Sequence, residues 1–210
     1  MVISIIYPYG LNMNVKSLPP FIQNHYEVHE WKHSTAILQQ DFPAEWNDIT
    51  TVITNYRLHH KDITTPGGGK SPVAKALDTA FFKRGWKKKR FHTHVIIDDD
   101  KIENPTHEID CYKNRIALEV EWNNKDPFFD RDLNNFRVLF DLRAISVGII
   151  ITRCDELQDI FNQLGKGASY GPSTTHMSRL IPRIEGGGGG GCPVLVFGIS
   201  SKLYVSAKGS

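Results

Sequence analysis

The sequence lacks any apolar run near the ~20 residues that a helix needs to cross a bilayer, so no membrane span is expected. It is also poor in cysteine. Cys111, Cys154 and Cys192 form an odd, widely spaced set with no C-x-x-C pair. That arrangement implies neither a disulfide framework nor a zinc cluster, and it predicts reduced, semi-buried thiols in a cytoplasmic protein. Residues 1–6 lack the basic start and the length of a signal sequence, and read instead as part of a strand over residues 2–7. Net charge is nearly absent: a formal +2 names no partner. Internal repeats are missing too, and the hexaglycine from Gly186 to Gly191 is the sole low-complexity tract.

What is present is a chain of 210 residues with ordinary apolar content, enough for one domain over residues 1–210 with a full core. Phe21, Ile22, Tyr26, Val28, Trp31, Ile37 and Leu38 have helical spacing over residues 18–40. Trp46, Ile49, Ile53 and Tyr56 predict a second helix over residues 44–60. Ser71 and Pro72 mark the N-cap and first turn of a third, which runs through Val73, Ala76, Leu77, Ala80 and Phe81 and stops at Gly85. Strands are expected over residues 91–97, 108–112 and 115–122. A helical stripe of Phe129, Leu133, Phe136, Leu139 and Phe140 follows. The nearly continuous apolar runs 145–152 and 193–199 read as strands covered on both faces. Between them lie a short helix over residues 155–164 and a loop-rich stretch from 165 to 191. This order of elements predicts an α/β fold, with a central mixed β-sheet flanked by helices on both faces.

Six of the eight residues from Lys83 to Arg90 are cationic. Such a run is either a solvated helix end or a patch facing a polyanion, which makes Lys87, Lys88, Lys89 and Arg90 candidates for phosphate contact. His29-Glu30-Trp31-Lys32-His33 matches H-E-x-x-H, which on a helix would place two imidazoles one turn apart beside a general base, as in a zinc peptidase. No third ligand is evident, and a surface helix rich in His and Glu accounts for the same residues. Gly67-Gly68-Gly69-Lys70-Ser71 resembles the end of a P-loop, but Thr64 stands where the first glycine belongs and no buried strand precedes it. Lys70 and Ser71 remain candidates for touching a phosphate backbone.

One constellation is better suited to chemistry. Asp110 lies near the end of one expected strand, and Glu119 and Glu121 lie in the next. Side chains at i and i+2 of a strand share a face, and a turn through Lys113 and Asn114 brings Asp110 beside them. Converging carboxylates repel one another unless a hard cation is present, and their oxygens suit Mg²⁺. The alternative is that both glutamates occupy the solvated face of an edge strand, which spacing alone leaves open.

Asp110-x9-Glu119-x-Glu121 resembles the D-x(n)-E-x-[KQE] pattern of the PD-(D/E)XK nucleases, and in particular the restriction endonucleases of the BglII/BstYI type. Ser71-Pro72-Val73-Ala74 and Phe81-Phe82-Lys83-Arg84-Gly85-Trp86-Lys87 are similar to that family's helix before its catalytic strands. Lys113-Asn114-Arg115-Ile116-Ala117-Leu118-Glu119-Val120 resembles its K-x-R-V-A-I-E-V strand, and Cys192-Pro193-Val194-Leu195-Val196-Phe197-Gly198-Ile199 its last core strand. The third motif position departs from that type: Glu121 is acidic, where glutamine or lysine is usual. The resemblance implies a type II restriction endonuclease in which Asp110, Glu119 and the Val120 carbonyl hold Mg²⁺. Glu121 is then a general base or second-metal ligand. It also implies a homodimer that cuts double-stranded DNA at a palindrome, leaving 5′-phosphate ends, alongside a cognate methyltransferase. A site containing GATC is the palindrome suggested. DNA contact is expected in the hydroxyl-rich loop within residues 165–192, from Ser169, Tyr170, Ser173, Thr174, Thr175, His176 and Arg179. A DNA-binding protein on an inactive nuclease fold is the competing reading, although all three carboxylates are present.

Overall fold

The computed structural model describes residues 17–65, 69–98 and 100–207. The strand expected over residues 2–7 and the loop positions 66–68 lie outside the described residues.

The helical spacing over residues 18–40 resolves into three elements: α1 (Pro20–His25), β1 (Tyr26–Trp31) and α2 (Ser34–Asp41). Lys32 and His33, both at φ 57°, form the left-handed turn between the last two. Helix α3 (Pro43–Asn55) begins with proline in its first turn and buries Ile49, Val52 and Ile53. It stops short of the expected end, giving way to β2 (Leu58–His59) and α4 (His60–Thr64). Helix α5 (Pro72–Phe82) is capped as its sequence predicts: Ser71 Oγ accepts from the Ala74 N–H at 3.1 Å. The basic run then extends as β3 (Lys87–Lys89), with all three lysines exposed. Next come β4 (His92–Ile97), β5 (Asp100–Pro105), β6 (Ile109–Lys113), β7 (Ile116–Val120), α6 (Pro127–Asp141), β8 (Val147–Arg153) and α7 (Leu157–Gln163). The stretch expected to be loop contains α8 (Met177–Glu185), whose apolar face is Met177, Leu180 and Ile184. The hexaglycine turns the chain from α8 into β9 (Val194–Ile199), with Gly187 and Gly190 at positive φ. A short β10 (Tyr204–Val205) pairs with β2.

Six strands form the central sheet, in the order β1-β9-β8-β7-β6-β3. The inner three, β7, β8 and β9, are parallel, while β1, β6 and β3 pair antiparallel to their neighbours. Every residue of β7, β8 and β9 is buried, as parallel strands covered on both faces should be. One face carries Leu118, Ile149, Leu195 and Phe197, against α3, α5 and α7; the other carries Ala117, Ile150, Val194 and Val196, against α6 and α8. The fold is the mixed α/β architecture expected. Asp48 of α3 ties the basic segment to this body, accepting from Trp86 Nε1 (3.1 Å), Lys113 Nζ (2.8 Å) and Arg84 Nη1 (3.3 Å).

Strands β4 and β5 form a separate antiparallel hairpin. It leaves Ile96, Ile97 and Ile102 exposed, and by register Ile97 and Ile102 share one face.

Candidate active site

The site is assembled by a hairpin. Asn114 and Arg115 both take positive φ, the backbone of a two-residue turn whose twist matches the flanking strands. This sets the β6–β7 register, Lys113 opposite Ile116 and Cys111 opposite Leu118. The next step along brings Asp110 beside Glu119, and the Asp110 N–H donates to Glu119 Oε2 at 3.3 Å. Strand β7 is interior, so the solvated-edge alternative does not hold: Glu119 is 1% exposed and Glu121 2%. Asp110 remains partly open to a cleft of about 470 Å³, which Val120, Glu121, Lys70 and Lys88 also line.

Four further side chains complete this cluster. Asp78 of α5 binds the Lys70 ammonium, which also donates to Asp110 Oδ1 at 3.0 Å. Arg131 of α6 donates to Glu121 Oε1 at 3.2 Å and to Asp132 Oδ1 at 2.8 Å. Asn124 donates to Glu121 Oε2 at 2.6 Å. Asp78 and Asp132 had a signal in the sequence. Asp78 sits in the apolar stripe Ala74, Leu77, Phe81, and Asp132 in the stripe Phe129, Leu133, Phe136; a carboxylate at a core position of a helix is rarely idle. Arg131 and Asn124 had none.

Electrostatics follow from burial. Burial, then the nearby Asp132, Asp110 and Glu121 carboxylates, raise the Glu119 acid well above the usual range. Glu121 is pushed up to about 9, first by burial and then by Asp132, against the hydrogen bond from Asn124 and the charge of Arg131. Burial is also the main cause of the upward shift at Asp132, which shares a hydrogen bond with Glu121. In the absence of added positive charge the site therefore retains protons near neutral pH.

Among the described residues no three His, Cys, Asp or Glu side chains are already drawn together to hold a metal. Asp110 is turned toward Lys70 instead. The donor chemistry still fits a hard divalent cation. Glu119 Oε1 is buried with no hydrogen-bond partner, an orphaned oxygen that a cation would satisfy, and Asp110 and Glu121 bring further carboxylate oxygens to the cleft.

The DNA-contact candidates divide by placement. Lys87, Lys88, Lys89 and Arg90 lie exposed along the sheet edge beside the cleft, with Lys88 Nζ 3.1 Å from Glu108. Lys70 lines the cleft, as does Ser71, whose hydroxyl caps α5. Ser169, Ser173 and Arg179 are exposed, although Arg179 Nε donates to the Pro172 carbonyl. Tyr170, Thr174, Thr175 and His176 are buried. Sequence reasoning missed the cause, Arg153 at the end of β8, which is itself buried. It donates to the Tyr170 carbonyl (3.1 Å) and to Thr174 Oγ1 (2.7 Å) and draws that part of the loop inward. His176 pairs with Asp155 at 2.8 Å. Tyr170 also lines the cleft, stacked on Phe161, while the Thr174, Thr175 and His176 side chains are buried in the body.

The H-E-x-x-H segment is corrected outright. His29 and Glu30 lie on β1, and His33 lies in the turn after it. Pairing of β1 with β9 supplies a ladder over six residues, and this tertiary pairing overrides the helical spacing. The two histidines are therefore not one helical turn apart, and adjacent strand residues point to opposite faces, so His29 and Glu30 cannot act as ligand and general base of one zinc site. Glu30 Oε1 instead accepts from the Thr35 N–H at 2.8 Å. Replacing His29 and His33 together by Gln should leave DNA cleavage within about threefold of wild type, since substitutions away from a site have small effects. A folded double variant with no activity in a plasmid assay would return these residues to the mechanism.

Among the described residues no helix is long and apolar enough to cross a membrane. A comparison with curated proteins gave no match. The family profile for restriction endonuclease BglII/BglIII matches residues 26–199, from the first residue of β1 to the last of β9. That span holds the whole sheet and every carboxylate of the cleft. The chain belongs to the BglII/BglIII restriction endonuclease family, and is accordingly a type II site-specific deoxyribonuclease acting on double-stranded DNA.

Proposed function

We propose that this single-domain endonuclease uses Asp110, Glu119 and Glu121 to hydrolyse the phosphodiester bond with Mg²⁺, at a palindromic site, leaving 5′-phosphate ends. The observation that carries this is a buried Glu119 whose Oε2 accepts from the Asp110 N–H while Oε1 has no hydrogen-bond partner, beside an Asp110 that lines a cleft edged by lysines. Asp110, Glu119 and the Val120 carbonyl are the groups that would hold the cation. When bound, it supplies charge neutralisation at the scissile phosphate and acidifies water. Glu121 is positioned by Asn124 and Arg131. Added positive charge favours its carboxylate form, which is then placed to accept a proton from the attacking water. The exposed lysines of β3 attract the duplex without reading its bases.

A homodimer suits a twofold-symmetric site. Cytoplasmic residence beside a cognate methyltransferase belongs to the same reading, as does a recognition site containing GATC.

Plasmid DNA incubated with the protein and Mg²⁺ should yield discrete fragments, lost with EDTA and restored by excess Mg²⁺. Sequenced ends should share one palindrome and carry 5′-phosphates. A smear of random ends, or cutting undiminished by chelation, would overturn the proposal.

A further inference from the structure

Third-position lysine would give a β7-type catalytic strand its own positive charge; here that position is Glu121, buried and engaged by Asn124 and Arg131. A cation must therefore come from elsewhere if the chain is to stabilise the charge that develops on phosphorus. Besides Lys166, which has no ion pair with the site's carboxylates among the described residues, three candidates border the cleft. Arg131 is committed to Asp132 and Glu121. Lys88 pairs with Glu108 at 3.1 Å and lies 4.0 Å from Asp110. Lys70 alone among the three contacts the Asp110 carboxylate at hydrogen-bond distance, 3.0 Å, while its other partner, Asp78, anchors it from the buried face of α5. Its side chain is 35% exposed, so it faces the cleft and is reachable by substrate. A Cβ added at Gly69 beside it would meet no atom within 4 Å among the described residues.

We propose that Lys70 is a catalytic residue that supplies the positive charge missing from β7. In the free enzyme its ammonium serves as the counterion of Asp110; in the DNA complex it moves to a non-bridging oxygen of the scissile phosphate. Lys70 makes and breaks no covalent bond. Water oxygen bonds to phosphorus, the bond from phosphorus to the 3′ oxygen breaks, and that oxygen takes up a proton while the attacking water gives one up. Lys70 pairs with the extra negative charge between these events. Because its resting place is a carboxylate that would hold the cation, Lys70 also opposes cation entry until DNA draws it away. The inference rests on the Asp110–Glu119 reading proposed above.

The test uses the full chain and two measurements whose expected changes have opposite sign. Lys70→Met should lower the single-turnover cleavage rate at saturating Mg²⁺ by roughly 10²–10³-fold, the usual loss for one preorganised donor to a transition-state charge. The same variant without DNA should bind Mn²⁺ about tenfold more tightly than wild type, since Asp110 is freed of its ammonium. Lys70→Arg should recover part of the rate. Lys70→Met leaves Asp78 buried and unpaired, so Lys70→Met/Asp78→Asn is made in parallel and should show the same rate loss in a fold that melts like wild type. A purely structural Lys70 would lose rate only through the unpaired Asp78, and Lys70→Met/Asp78→Asn would then regain it. Wild-type cleavage by folded Lys70→Met, or unchanged Mn²⁺ affinity, overturns the assignment. Asp110→Asn and Glu119→Gln separate the two levels. If those variants are inactive while Lys70→Met cuts normally, only the lysine is wrong; if they cut normally, the carboxylate site itself is wrong.

Discussion

Glu119→Gln should reduce DNA cleavage by roughly 10³-fold or more while leaving the protein folded and able to bind duplex DNA. Glutamine keeps the shape of the buried side chain and one acceptor oxygen for the Asp110 N–H. It removes the one property the chemistry requires, a carboxylate able to carry negative charge toward a cation. Folding should not suffer. Burial and three neighbouring acids already hold Glu119 toward its neutral form, which glutamine imitates, and burying an uncompensated charge is costly. The urea midpoint should therefore equal or exceed that of wild type. DNA affinity should be retained, because β3 and its lysines are untouched. Single-turnover cleavage, a binding titration and a urea melt on one preparation check all three. Wild-type cleavage by the folded variant would remove Glu119 from the mechanism.

Gly148→Val should cost about 3 kcal/mol of stability, a large overpacking effect, and lower the melting temperature by roughly 6–12 °C. Gly148 lies in β8, opposite Ala117 of β7 on one side and Val194 of β9 on the other. A Cβ there would meet the Phe136 ring at 2.3 Å, and Phe136 is fully buried. Neither the sheet ladder nor the core can yield without loss, so α6 must shift. Helix α6 also carries Arg131 and Asp132, and displacing it should slow cleavage through Glu121. Gly148→Val/Phe136→Leu should regain part of both losses, since the smaller side chain admits the added methyls. An unchanged melting curve for Gly148→Val would mean that α6 does not pack as described.

The contrast between the two carboxylate pairs shows how far sequence reading reached. Glu119 and Glu121 were legible because polar residues interrupted an apolar strand at period two, and Asp110 as a carboxylate on the preceding strand; the turn expected at Lys113 and Asn114 falls one residue later, at Asn114 and Arg115, and only that register sets Asp110 beside Glu119. Asp78 and Asp132 follow an equally local rule, a charge within a helical apolar stripe, and went unread because the motif carboxylates they are linked to lie on other elements: Lys70 joins Asp78 to Asp110, forty residues from Lys70, and Arg131 joins Asp132 to Glu121, ten residues from Arg131. The hydroxyl-rich loop divides, with Ser169, Ser173 and Arg179 exposed and its threonines buried, for a reason equally distant in the chain. Its polar composition suggested solvent and DNA, but a single buried arginine from β8 supplied the hydrogen bonds that let Thr174 turn inward. Strand β1 carried helical spacing and became a strand because β9 offered it a ladder. Helix α8 was hidden by its setting between a Ser/Thr-rich loop and a polyglycine tract, although Met177, Leu180 and Ile184 keep a helical period.

By itself the sequence determined the α/β class, the capped α5, the fully buried strands β8 and β9, and the identity of the central acidic motif. These rest on period, capping and turn chemistry, interactions that act within a few residues and so are written locally. Only the tertiary structure decided that β7 is interior, that Lys70 meets Asp110, that α6 brings Arg131 and Asp132 to Glu121, and that His29 and His33 belong to a strand and a turn. Each of those depends on groups far apart in the chain. Burial raises the strength of their interactions and the cost of leaving any of them unpaired, so the partner supplied by the fold, more than the residue type, fixes what each side chain does.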